Sequence, residues 1–221
     1  SFVAGYYSLS WIVFFNYHLF RFKLLVMKKL LLLLMFIPLV STAQQLLDPL
    51  KISDSAIELT NKSVIYNGDY YSIPYPNGDV PDGIGVCTDV VIRTYRSVGL
   101  DLQKEVHEDM EANFELYPKI WGLSKPDSNI DHRRVPNLMT YFKRQGAEIP
   151  ITDMGKDYLP GDIVSWNLGG GLTHIGIVVN KKSNDNKRFM IVHNIGGGQV
   201  LEDCLFNYTI TGHYRFLKKR N

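Results

Sequence analysis

Three residues in this chain, Cys87, His174 and His193, have the types and the spacing that nucleophilic chemistry needs. Cys87 is one of only two cysteines. It stands in GVCTDV, where a loop rich in turn formers (residues 74–85) gives way to an amphipathic run carrying Val90, Val91, Tyr95 and Val98 that stops at Gly99. This pattern puts the sulfur in the first turn of a helix, among unpaired backbone N–H groups at the positive end of the helix dipole. Such a position lowers a thiol pKa, and the same N–H groups can bind an oxyanion. A lone cysteine is as readily a small buried hydrophobe, so the histidines have to decide between the two readings. His174 lies near the start of THIGIVV and His193 near the end of FMIVHN, and the polar tip NKKSNDNK joins the two. A turn centred near Asn184 pairs residues whose numbers sum to 367 or 368, which sets the two imidazoles opposite each other, roughly 5 Å apart at Cβ. Cys87 as nucleophile, His174 as general base and acid, and His193 as the group that holds His174 in one tautomer form the set that amide hydrolysis through an acyl-enzyme uses.

The elements that must position these residues divide into a helical first half and a strand-rich second half. Helices are predicted over residues 46–61, from Cys87 to Gly99, over 102–114 and over 135–145. Strands are predicted for IVSW after the turn of Pro160, Gly161 and Asp162, for residues 173–179 and 189–194, and for GHYRFL near the C-terminus. The expectation is an α+β domain of one core, residues 46–221, with helices packed on an antiparallel sheet. The loop between the third and fourth helices carries Asp131, His132, Arg133 and Arg134. Asp131 is read as the cap of the following helix, and Arg133 either as half of an ion pair or as a contact for a substrate carboxylate. Asp89 and Asn194 are read as supporting or substrate contacts, and Cys204 as structural.

Upstream, Met27 opens MKKLLLLLMFIPLVSTAQQ, with two lysines, an apolar run and small residues before Gln44. This is the three-part pattern of a secretory signal peptide, residues 27–43. The expected localisation is therefore export across the inner membrane to the periplasm. Residues 1–26 are read as upstream sequence translated in error or a non-native leader. The competing reading is a membrane span over residues 2–20, so membrane contact is expected only through an uncleaved leader. The formal net charge of +2 comes from the leader, which holds Arg21, Lys23, Lys28 and Lys29 and no acid, so the remaining 178 residues carry 20 basic and 22 acidic side chains. A near-neutral chain without a basic cluster excludes nucleic acid as the expected partner. The protein is expected to be a monomer and to need no cofactor or metal.

The order GVCTDVVIRTYRSVG, PGDIVSW, THIGIVV, IVHN resembles the papain-like NlpC-type family of bacterial cell-wall peptidases and amidases. Over nearly the whole span after the leader, the stretches GDVPDGIGVCTDVVIR, HEDMEANF, YPKIWGLSKPDSNIDHRRVPNL, GGGLTHIGIV and IVHNIGGG resemble the secreted bacterial family known as domain of unknown function 1287. The resemblance implies a papain-like fold with the triad on Cys87, His174 and His193. It also implies hydrolysis of an amide in peptidoglycan or its muropeptide fragments, either muramoyl to L-alanine or within the stem peptide. Two positions depart from the NlpC pattern: Thr88 follows the cysteine where serine is usual, and Val86 stands where aspartate is common. Two other function classes compete. One is a zinc amidase built from His174, His193, His213 and Asp162, although the chain has no HxH or HExxH pair. The other is a non-catalytic wall-binding module in which Tyr66, Tyr75, Trp121 and Trp166 stack on sugars.

Overall fold

The computed structural model describes residues 21–23, 25–29 and 46–217, and the readings placed on residues 1–20 and 30–45 lie outside them. Among the described residues no helix is long and apolar enough to cross a membrane. Residues 46–217 form one compact unit, which begins with helix α1 (Pro49–Leu59). Asp48 caps α1 by accepting the Leu50 N–H at 2.9 Å, and Pro49 sits in its first turn, where no N–H is required. A short parallel pair, β1 (Ile65–Tyr66) with β2 (Ile84–Gly85), leads directly into helix α2 (Cys87–Ser97). Gly99 ends α2 at φ +87°, a conformation that favours glycine. Helix α3 (Leu102–Asn113) is capped by Asp101, and helix α4 (Val135–Arg144) follows a 3₁₀ turn over Asp131–Arg133. The four predicted helices thus form: the first is shorter at both ends, and the other three start where predicted and stop one or two residues early.

The second half is a five-stranded antiparallel sheet of β3 (Ile163–Asn167), β4 (Thr173–Lys182), β5 (Phe189–His193), β6 (Val200–Glu202) and β7 (Thr209–Tyr214). The strand order is β6-β5-β4-β3-β7, so the architecture is α+β with helices on an antiparallel sheet, as expected. Alternation along β4 sends Ile175, Ile177 and Val179 to the main core beneath the helices, together with Val90, Val91, Leu138 and Phe142. Val178 on β4, Ile191 on β5, Val164 and Trp166 on β3, and Cys204 and Leu205 form a second, smaller core.

The hairpin register differs from the predicted one. Ile177 pairs with Val192 and Val178 with Ile191, so paired numbers sum to 369. Ser183 closes the turn by donating its N–H to the Arg188 carbonyl, with Asn186 at φ +59°, so the turn centres beyond Asn184. An irregularity between Val178 and Lys182 then shifts the register again. His193 therefore falls across from Gly176, and His174 is its diagonal neighbour on the same face.

Candidate active site

The histidines meet because Gly176 has no side chain. A Cβ built there would lie 3.0 Å from the Cβ of His193 and 2.8 Å from Ile191. The open space lets the His193 ring lean across to the diagonal position, where its Nδ1 lies 2.8 Å from His174 Nε2 with ring centroids 5.0 Å apart. His193 Nε2 in turn lies 2.8 Å from Oε2 of Glu202 on β6. As a carboxylate, Glu202 can only accept, so the proton sits on His193 Nε2, and Nδ1 accepts from His174 Nε2–H. That order leaves the lone pair of His174 on Nδ1, which makes no hydrogen bond among the described residues. Glu202 was not singled out in the sequence; three residues on an edge strand, followed by the acid Asp203, gave no sign of it.

Cys87 reaches this strand from the helix layer. Its Sγ takes backbone hydrogen bonds from Ile175, the residue after His174, and from Thr88 and Cys87 itself. Burial nevertheless pushes the thiol up to about 12, and the nearby Asp89 carboxylate adds to the rise. The low thiol pKa expected from the helix start is thus reversed, because desolvation outweighs the amide hydrogen bonds. Burial, followed by the His193 ring, pulls His174 down to about 3, so the resting site holds a neutral thiol and a neutral imidazole. No hydrogen bond joins Cys87 Sγ to an imidazole nitrogen among the described residues: the histidines belong to the sheet face of Trp166 and Cys204, whereas Cys87 belongs to the main core.

The three residues read as supporting contacts all brace the start of α2. Asp89 accepts the Val86 N–H at 2.7 Å and the Arg133 Nε–H and Nη2–H at 3.0 and 3.1 Å. Arg133 also donates to the carbonyls of Asn67 and Asp69. It is buried, and each of its three guanidinium nitrogens is engaged within the protein. Asn194 donates to the Gly85 carbonyl at 3.3 Å, tying the end of β5 to the turn before Cys87. Asp131 does not cap α4; its carboxylate accepts the Asp127 N–H at 2.6 Å, because the 3₁₀ turn lies between it and the helix. Tyr66, about half exposed, stands near the site: burial and then the neighbouring Cys87 and Asp89 raise its hydroxyl pKa.

The ligand set imagined for a zinc amidase does not assemble. Both ring nitrogens of His213 are engaged, Nε2 at 2.9 Å from Asp162 and Nδ1 at 3.1 Å from the Pro150 carbonyl. Trp166, one of the four aromatics offered for sugar stacking, is buried and donates to the Leu205 carbonyl. Both cysteines are free thiols.

Residues 53–216 match the family described as Domain of unknown function (DUF1287). The chain belongs to this family. It is 50% identical over 170 residues to the protein named Uncharacterized protein YijF of Escherichia coli (strain K12), a match spanning 77% of this chain and 82% of that relative. No solved structure matches the chain. The family span takes in Cys87, both histidines of the relay and Glu202.

Proposed function

We propose that this member of the DUF1287 family is an exported cysteine hydrolase of the NlpC-type papain-like superfamily, acting in the periplasm as a monomer. Its substrate is an amide bond in peptidoglycan or its fragments, cleaved through a thioester acyl-enzyme. The observation that carries this reading is the Glu202–His193–His174 relay, which leaves a free lone pair at Nδ1 of His174, one residue from the amide that holds the Cys87 sulfur. In this mechanism the Cys87 thiol turns from the Ile175 amide toward His174 Nδ1 and gives up its proton as sulfur attacks the substrate carbonyl. The backbone N–H groups at the start of α2, released by the sulfur, then serve the developing oxyanion. His174 returns the proton to the leaving amine, and water completes hydrolysis of the thioester. Because thiol and imidazole are both neutral at rest, proton transfer accompanies attack rather than preceding it.

The test is digestion of purified sacculi with the protein, with Cys87→Ala and with His174→Ala, followed by mass spectrometry of the released fragments. New free muramoyl ends identify an amidase, and cut stem peptides an endopeptidase. Identical fragment profiles for the unaltered protein and Cys87→Ala would sink the cysteine mechanism.

A further inference from the structure

We propose that His193, Glu202 and Cys204 form a binding site for a divalent metal of the zinc type, and that occupancy of this site switches off His174 as a base. The metal site stands on geometry alone; the switch rests on the cysteine-hydrolase reading. Glu202 Oε2 lies 2.8 Å and Cys204 Sγ 3.7 Å from the same atom, His193 Nε2. All three donor atoms lie within 4.8 Å of one another, the one such group of three among the described residues. Tetrahedral zinc with ligands at about 2.0–2.3 Å sets donors about 3.4–3.6 Å apart. The nitrogen–sulfur separation already fits, and the carboxylate needs to withdraw by about half an ångström to meet the same spacing. Glu202 can make that movement because its side chain is 47% exposed, and the same exposure gives a metal a way in.

The chemistry of the donors agrees with the spacing. Imidazole, thiolate and carboxylate are the zinc ligand types, and three of them leave a fourth position for water. A thiolate and a carboxylate also neutralise the double charge of the ion, which matters where His193 and Cys204 are buried. The remaining nitrogen of His193 is hydrogen-bonded to His174, the kind of outer contact that orients a ligating imidazole.

The consequence for the relay is a reversal of its protons. Without metal, both histidines carry their proton on Nε2. A metal needs the lone pair of His193 Nε2, so His193 carries its proton on Nδ1 and donates it to His174 Nε2. His174 must then hold its own proton on Nδ1, where it can no longer accept one from the thiol. The two ring protons are conserved in this rearrangement, and the single proton lost to solvent is that of the Cys204 thiol.

Cobalt(II) titration of the protein, with zinc as competitor, tests the site. One equivalent of cobalt is expected to give a near-ultraviolet thiolate-to-cobalt band that zinc displaces. The band is expected to vanish in Cys204→Ala and to persist in Cys87→Ala, and Glu202→Gln, a half-exposed change that spares the fold, is expected to weaken binding at least tenfold. Absence of the band in the unaltered protein, its loss in Cys87→Ala, or unchanged affinity in Glu202→Gln would overturn the site. Fragment release from sacculi tests the switch: one equivalent of zinc is expected to stop it in the unaltered protein but not in Cys204→Ala. Equal inhibition of both, or of neither, with the cobalt band intact, would overturn the switch and leave the metal site standing. If metal-free protein releases nothing, the hydrolase reading fails on its own and the band still decides the site.

Discussion

At the scale of single residues, the competition at Cys87 is between a helix start that favours the thiolate and a buried setting that forbids it. Three backbone N–H groups favour the charged sulfur, yet desolvation carries the pKa from 9.0 to about 12. At pH 8 this shift alone makes the thiolate about a thousandfold scarcer than in an unfolded chain, since each pKa unit is a factor of ten. Iodoacetamide is therefore expected to leave Cys87 almost unlabelled in the native protein at pH 8 while labelling it readily in urea, with the native rate climbing as pH rises toward 12. Peptide mapping by mass spectrometry reads both rates. Native labelling as fast as in urea would mean that the helix start wins over burial and that the site rests as a thiolate. The backbone N–H groups were legible in the sequence, since they follow from position in a helix, but the burial was not, since it depends on how closely β4 packs on the sulfur.

At the scale of elements, two contacts decide whether the site is assembled. The first is Gly176, whose missing side chain lets β5 carry His193 over to its diagonal neighbour. Gly176→Ala would drive a Cβ to within 3.0 Å of His193 Cβ and Val192 O, and an overpacked position of this kind costs about 1–3 kcal/mol. The expected outcome is a lower midpoint in thermal or urea unfolding together with a larger loss of fragment release. Full activity in a destabilised Gly176→Ala protein would separate the glycine from the relay. The second contact is the buried Asp89–Arg133 pair, which joins the first turn of α2 to the 3₁₀ turn before α4. Removing one partner strands a buried charge, so Arg133→Met is expected to cost about 3–5 kcal/mol in urea unfolding. Replacing both, as Asp89→Leu with Arg133→Met, is expected to recover a good part of that loss; a double variant as unstable as the sum of the singles would show that the two do not act as a pair. The first sets the histidine relay on β4 and β5, and the second holds the start of α2, whose sulfur takes the amide of Ile175, the residue after His174.

At the scale of the whole molecule, the four helices and four of the five sheet strands were legible because their periods are local. The α2 pattern of Val90, Val91 and Tyr95 and the run from Ile175 to Val179 announce themselves within a dozen residues. The relay was only half legible. The coincidence of His174 and His193 across a hairpin was visible, but their diagonal placement depends on a turn and an irregularity that shift register by single residues. Glu202 and Cys204 join only through the pairing of β6 with β5, Ile191 against Glu202, which no local pattern encodes. The closure of the molecule was hidden for the same reason. The last described residues seal the helix layer: Phe216 packs against Tyr95, Tyr141 and Phe142 at 5.3–5.8 Å between ring centroids. Its carbonyl accepts the Tyr95 hydroxyl at 2.9 Å, and the next carbonyl, of Leu217, accepts the Leu47 N–H at 2.7 Å. These bonds join the two ends of the compact unit across its core. Phe216→Ala opens a cavity at that seam, and loss of a buried phenylalanine costs about 3–5 kcal/mol, a large part of the 5–15 kcal/mol that holds a domain folded. The expected result is a marked fall in the urea midpoint with an unchanged slope, since the surface exposed on unfolding stays the same. A loss under about 1 kcal/mol would mean that the C-terminal segment lies on the core without sealing it.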